Sequence, residues 1–336
     1  MTARRDILPI FIPHLGCPHA CVFCNQKRIA GSLSPACPRD VERAVEEGLP
    51  RCQTPPQLAF YGGSFTAIPR EEQRALLDAA APYLARGELS GIRVSTRPDA
   101  VGESVLDELW ERGVRTIELG AQSMWDDVLA LCGRGHRAED TVLAAERIRA
   151  RGFSLILQMM TGLPGSDDGR DVETARRLLA LRPDGVRIYP TVVIRDTQLY
   201  DWWRSGRYRE HTVDDAVRVC AKILPLFEAA GIPVIRLGLN PTEELSGGDA
   251  VAGAYHPALG ELVKSRVMLE RVRGLLGTEL RGGELWLSVG RGKLSQMLGQ
   301  KRCNVRALQA EYGFRRVKVT EKAEESGEIE IISVAK

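Results

Sequence analysis

The chain has no run of about 18 apolar residues, so nothing in it reads as a membrane-spanning helix. No charged-then-apolar leader opens it: MTARRDILPI runs straight into a strand-like pattern, and no secretory signal is expected. Net charge is almost absent, +2 at pH 7, so any surface for a polyanion has to be a local patch. Solenoid repeats are missing, as are the paired C-x2-C knuckles that hold structural zinc. What remains is a 336-residue chain, 44% hydrophobic and 27% charged, sized for one barrel-like domain plus a smaller module. A cytoplasmic location is the expectation. Its eight cysteines do not read as disulfides, because three of them crowd into one short stretch.

Short apolar runs at 7–13, 57–62, 91–96, 114–120, 153–160, 185–190 and 232–238 alternate with segments of helical spacing. Strand–helix alternation of this kind predicts an α/β fold with a parallel sheet, closed fully or partly into a TIM-type (β/α) barrel. Chemistry then belongs on the loops that follow the strands. The expected division is a barrel at 1–240, a glycine-rich linker with a helix packing on the barrel at 241–279, and a small α+β module at 280–336.

CPHACVFC sets Cys17, Cys21 and Cys24 in a C-x3-C-x2-C loop just after the first strand. Three thiolates from one loop hold an iron–sulfur cluster and leave its fourth iron open. Structural zinc is the alternative, with His14 or His19 completing the set. Phe23, between the second and third thiols, either shields such a site or simply packs.

Together with this loop, FYGGSFTAI (60–68), STRPD (95–99), IELGAQS (117–123), GRGH (133–136), MMTGLP (159–164), RIYPTVVIRDTQLYDWWRSGRY (187–208) and VIRLGL (234–239) resemble the radical S-adenosylmethionine (SAM) core of the Elongator catalytic subunit. The resemblance runs in order over about residues 8–240. A looser one, through the GLPG segment, is to oxygen-independent coproporphyrinogen oxidases. It implies a 4Fe-4S cluster on Cys17, Cys21 and Cys24, and SAM bound to the open iron. It also implies a 5′-deoxyadenosyl radical, tRNA as substrate, and a reductant such as ferredoxin or flavodoxin.

Residue by residue, the resemblance places the methionine end of SAM on Gly62 and Gly63, where missing side chains admit close backbone approach, with Ser64 beginning the loop beyond. Arg97, Glu118, Gln122 and Ser123 become candidates for polar contacts to SAM, and Phe23 for its adenine. Arg97 has the planar fork that suits a carboxylate. Ser95 stands where the family usually has glutamate, and Arg187 where it often has lysine. A charged Glu118 inside TIELGA needs a partner, SAM or Arg97, or else a structural ion pair. Gln158 and Tyr189 would face substrate, the tyrosine as donor or relay, or as a cap on the barrel rim. His136, in GRGH, is a satisfied loop residue or a catalyst.

LSQMLGQKRCNVRALQAEYGFRRVKV (294–319) resembles the helix–GxxG–helix–strand core of a KH domain, which clamps nucleic-acid phosphates. Gly299 matches the first glycine, Gln300 and Lys301 fill the loop, and Arg302 replaces the second glycine. Lys293, just before the first helix, joins them as a candidate RNA contact. Between Arg291 and Lys318 eight basic residues stand against one acidic residue, Glu311, a local excess that suits phosphate. The Elongator subunit also carries an acetyltransferase-like domain for which 336 residues leave no room, so acetyl-CoA is not expected as a partner. The alternatives are a radical SAM enzyme for a small metabolite or tetrapyrrole, and a non-catalytic RNA-binding iron–sulfur protein.

Overall fold

On β1 (Ile7–Ile12), Leu8, Ile10 and Ile12 are buried while Pro9 and Phe11 remain exposed. Partial alternation recurs along β3 (Gly91–Thr96), β5 (Ser154–Thr161) and β6 (Gly185–Pro190), whereas β2 (Gln57–Gly62) and β4 (Val114–Gln122) are buried along most of their length. One face of these strands carries Leu58, Phe60, Ile92, Val94, Ile117, Leu119, Leu155, Leu157, Val186 and Ile188, all fully buried. Each such side chain contributes roughly 2 kcal/mol of transfer free energy. The other face carries Gln57, Tyr61, Arg93, Thr116, Glu118, Gln158, Arg187 and Tyr189.

The computed structural model describes residues 6–12, 21–25, 35–240, 245–277, 280, 282–322 and 329–335. Beyond β6 come β7 (Val192–Ile194), β8 (Val234–Leu237) and β9 (Ala250–Gly253). Strands β1 to β6 and then β8 form one all-parallel sheet, each beside its predecessor, curled into a half-barrel. The expected α/β partial barrel is what the chain forms. Helices such as Pro38–Gly48, Arg70–Ala85, Glu103–Glu111, Ala138–Ala150 and Asp168–Ala180 alternate with the strands. The antiparallel pair β7–β9 was not foreseen, because runs of three and four residues carry too little periodicity to read.

Two compact units divide the chain: Met1–Thr212 with Leu226–Tyr255, and Val213–Pro225 with His256–Lys336. In the second, β10 (Glu284–Val289) lies between β11 (Arg316–Glu321), parallel to it, and β12 (Ile329–Ala335), antiparallel. Helices Leu294–Leu298 and Cys303–Tyr312 connect β10 to β11. Met268, Leu269, Val272 and Leu276 of the helix Leu259–Leu276 share a core with Leu285, Leu287, Val289, Met297, Leu308 and Phe314. That helix is therefore part of this unit's core. Among the described residues no helix is long and apolar enough to cross a membrane.

Candidate active site at the ends of the barrel strands

The turn that follows the first strand is fixed from two sides. Val22 N–H donates to the Cys132 carbonyl at 3.1 Å, and the Val22 carbonyl accepts from Leu199 N–H at 2.7 Å. The Val22 side chain is buried among Val128, Leu163, Leu199, Trp202 and Tyr208, with half-buried Phe23 packed against the same cluster. Cys21 and Cys24, joined by a 3.0 Å backbone bond, are thus held on a rigid frame. Cys17 lies outside the described residues, as do His14 and His19. Among the described residues no three His, Cys, Asp or Glu side chains come together as a metal site.

At the end of β2, Gly62 takes φ +101°, and Gly63 N–H donates to the Ile12 carbonyl at 2.7 Å. Ser64 is buried, and its hydroxyl is occupied by Thr96 Oγ1 at 2.9 Å and by Arg97 N–H at 3.3 Å. It ties β2 to β3. Arg97 is buried, and its fork closes on Asp99, two bonds of 2.9 Å, while Nη2 also donates to the Arg134 carbonyl. The expected carboxylate partner is therefore Asp99, two residues along the chain. Nη1 of Arg97 is left buried without a partner.

A bulge in β4 turns its last residues. Gln122 stands at φ +63°, outside the usual range for a side-chain-bearing residue, with its Oε1 buried and unpartnered. Gly120 makes room for this arrangement: a Cβ there would lie 3.0 Å from Gln122 Nε2 and 3.4 Å from Arg134 Nη2. Ser123 is buried, and its hydroxyl accepts from Trp125 N–H at 3.3 Å, so it shapes the following turn. Ser95 Oγ, Arg134 Nε and both ring nitrogens of His136 are further buried atoms without hydrogen-bond partners. Burial, and then the Arg134 charge, push the His136 pKa down to about 4, which keeps the ring neutral near pH 7.

Inside the half-barrel, Glu118 is fully buried and fully paired. Its Oε1 accepts from Arg93 Nη1 at 2.7 Å, Arg187 Nη2 at 3.1 Å and the Tyr61 hydroxyl at 3.3 Å. Its Oε2 accepts from Arg187 Nε at 2.9 Å and Gln158 Nε2 at 3.0 Å. Burial pulls the Glu118 pKa upward, but Arg187 and then Arg93 outweigh it and hold the carboxyl below the usual range. Neither oxygen is left for SAM, and the partner is not Arg97. Arg93 and Arg187 are the residues that the sequence did not assign to it. Burial raises the pKa of Tyr61, to about 12, and that of half-buried Tyr189, so both phenols stay protonated donors.

A second missed residue orders the GLPG turn. Asp171 is buried, accepting from Gly162 N–H at 2.8 Å and Ser166 Oγ at 2.5 Å. Gly162, at φ +71°, lies so close to His211 that a Cβ would sit 2.1 Å from its ring. His211 in turn bonds Thr161 at 3.1 Å.

In the second unit, Gly299 ends its helix at φ +72°, and Lys301 and Arg302 follow at φ +51° and +60°. Arg302 thus adopts a backbone that favours glycine, at roughly 1 kcal/mol. Behind the loop, the buried Asn304 amide donates to Ser265 O at 2.9 Å and to Met297 O at 3.0 Å. Gln300, Lys301 and Arg302 are exposed, Lys293 half-buried. None of the eight basic residues forms an ion pair with another described residue, while Glu311 is engaged by Arg273.

The expected cofactors fit this arrangement. Two thiols are presented on the turn at 21–25, and buried polar atoms of Ser95, Arg97 and Gln122, at the ends of β3 and β4, lack partners. A polar ligand with its own donors and acceptors would satisfy them. Comparison with known proteins agrees. Residues 11–178 match the Radical SAM superfamily, and 183–268 the Radical_SAM C-terminal domain. Human Elongator complex protein 3 is 35% identical over 190 residues, 51% of this chain and 35% of that protein. The tRNA uridine(34) acetyltransferase of Methanocaldococcus jannaschii is 33% identical over 129 residues, 38% of this chain and 24% of that protein. The match thus spans about a third or less of these relatives' length. Elp3 of Methanocaldococcus infernus with an N-terminal deletion shares the fold, with a TM-score of 0.62 at 22% identity, over 82% of this chain and 65% of that one. The superfamily match takes in half of the chain, including its cysteine loop and the strand ends around it: the chain belongs to the radical SAM superfamily and is an enzyme that uses a 4Fe-4S cluster and SAM.

Proposed function

We propose that this enzyme modifies RNA, with tRNA as its substrate. The observation that carries the reading is the pairing, in one chain, of a radical SAM site with a second unit whose loop Gly299–Arg302 presents two exposed basic side chains, Lys301 and Arg302. When bound, the cluster and SAM supply a 5′-deoxyadenosyl radical. The chain's own residues do the rest. Cys17, Cys21 and Cys24 hold the cluster, and Gly62 and Gly63 admit the methionine end of SAM. Arg97 Nη1 and Gln122 Oε1 offer it a donor and an acceptor. Glu118 anchors the polar interior and fixes Gln158 and Arg187, and Tyr189 donates a hydrogen bond to substrate.

The Methanocaldococcus jannaschii relative, a tRNA uridine(34) acetyltransferase, supports tRNA, and because the match spans about a third or less of such relatives, the proposal concerns the radical step alone. The module at 280–336 serves as a KH-like grip on phosphates, through Lys293, Lys301 and Arg302. A cytoplasmic one-electron donor such as ferredoxin or flavodoxin reduces the cluster. Mass spectrometry of tRNA nucleosides from a deletion strain tests the reading. Loss of one modified nucleoside, restored by the gene, is expected. An unchanged nucleoside profile beside an accumulating small metabolite would overturn it.

A further inference from the structure

Arg134, in the turn between helices Asp126–Leu131 and Ala138–Ala150, is 7% exposed. Its Nη1 donates to Cys21 Sγ at 3.3 Å and its Nη2 to the Gly120 carbonyl at 2.6 Å. Its own carbonyl accepts from Arg97, and two residues earlier the Cys132 carbonyl accepts from Val22 N–H. One turn therefore grips the cysteine loop twice, once through backbone and once through a guanidinium. No described carboxylate forms an ion pair with Arg134, although a buried cation is costly without a counter-charge. The acceptors that its fork meets are the Cys21 sulfur and the Gly120 carbonyl.

From this geometry we infer that Arg134 is a positioning residue that sets the cluster's reduction potential through Cys21. The inference rests on Cys21 being a cluster ligand. A thiolate-bound cluster gains one negative charge when it takes an electron from a donor. A fixed cation hydrogen-bonded to a ligand sulfur stabilises the reduced form more than the oxidised one. Arg134 neither gives nor takes a proton in that step. Gly120 is part of the device, since its carbonyl accepts from the guanidinium.

The test is a redox titration of anaerobically reconstituted protein, followed by electron paramagnetic resonance, with iron content measured in parallel. In Arg134→Gln the ratio of reduced to oxidised cluster at a fixed potential should fall about tenfold, a midpoint about 59 mV lower for a one-electron couple. Arg134→Lys keeps the charge but loses the fork, and should fall between the two. If Arg134→Gln fails to hold iron, Arg134→Lys decides alone, by a lowered midpoint. A midpoint that is unchanged or raised in whichever of the two holds iron would overturn the assignment. A parent protein that takes up no iron would instead refute Cys21 as a cluster ligand.

Discussion

Arg187 on β6 forks onto Glu118 on β4, with Nε at 2.9 Å from Oε2 and Nη2 at 3.1 Å from Oε1, across the intervening strand β5. With Arg93 it leaves one buried carboxylate between two guanidiniums. Glu118→Gln removes the one carboxylate that, among the described residues, pairs with both, and breaking a buried pair from one side costs about 3 kcal/mol or more. The urea midpoint should drop accordingly. Adding Arg187→Met to Glu118→Gln should cost much less than Arg187→Met costs alone, because the two side chains are coupled. Additive losses would show that the pair is not the unit described.

Gly63 tests the placement of SAM. Valine there puts a branched side chain where the chain passes close to β1, at the turn that Gly63 N–H anchors to Ile12. We expect SAM affinity to fall at least tenfold, while the absorption spectrum of the cluster stays that of the parent. Equal affinity in equilibrium dialysis would move the cofactor elsewhere.

Asp171 gives the stability a pH dependence. Burial pushes its pKa up to about 6, above the 3.8 of an unperturbed aspartate. The folded state therefore binds the proton more tightly than the unfolded chain does. The stabilisation is complete below about pH 3.8 and is lost as pH rises through 6. Between pH 7.5 and pH 5 the parent should gain about 1 kcal/mol over Asp171→Asn, read as the difference of urea midpoints at each pH. A constant difference would mean that Asp171 does not titrate in that window.

The seven main strands were legible because each is a short apolar run with a glycine or proline at its edge, and the cysteine loop because three thiols at fixed spacing have few other uses. The partners were not. Glu118 meets residues 25 and 69 positions away, and Cys21 meets Arg134 at 113. Periodicity gives the face of a strand but not what lies across the barrel. One signal was available: Gln57, Arg93, Thr116, Glu118, Gln158 and Arg187 alternate with apolar neighbours, so the strands' second face had to be polar and mutually paired. Ser64 shows the converse. Its place in the motif pointed to SAM, and no motif could reveal that its hydroxyl also bonds Thr96 on the neighbouring strand.

The loop Gly299–Arg302 carries the last prediction. Lys301 and Arg302 are exposed on a turn that Asn304 holds from behind, so reversing their charge should leave the fold of the unit intact. Each phosphate that a basic side chain neutralises releases counterions, and the slope of log K against log salt counts those contacts. Lys301→Glu with Arg302→Glu should therefore weaken binding to structured RNA most at low salt and flatten the slope by about two contacts. Iron content and SAM cleavage without RNA should remain those of the parent, since neither residue belongs to the barrel unit. If the double variant binds RNA with the parent's affinity and slope, the module is not the grip. Substrate recognition would then rest on the barrel alone, which favours a small molecule over tRNA.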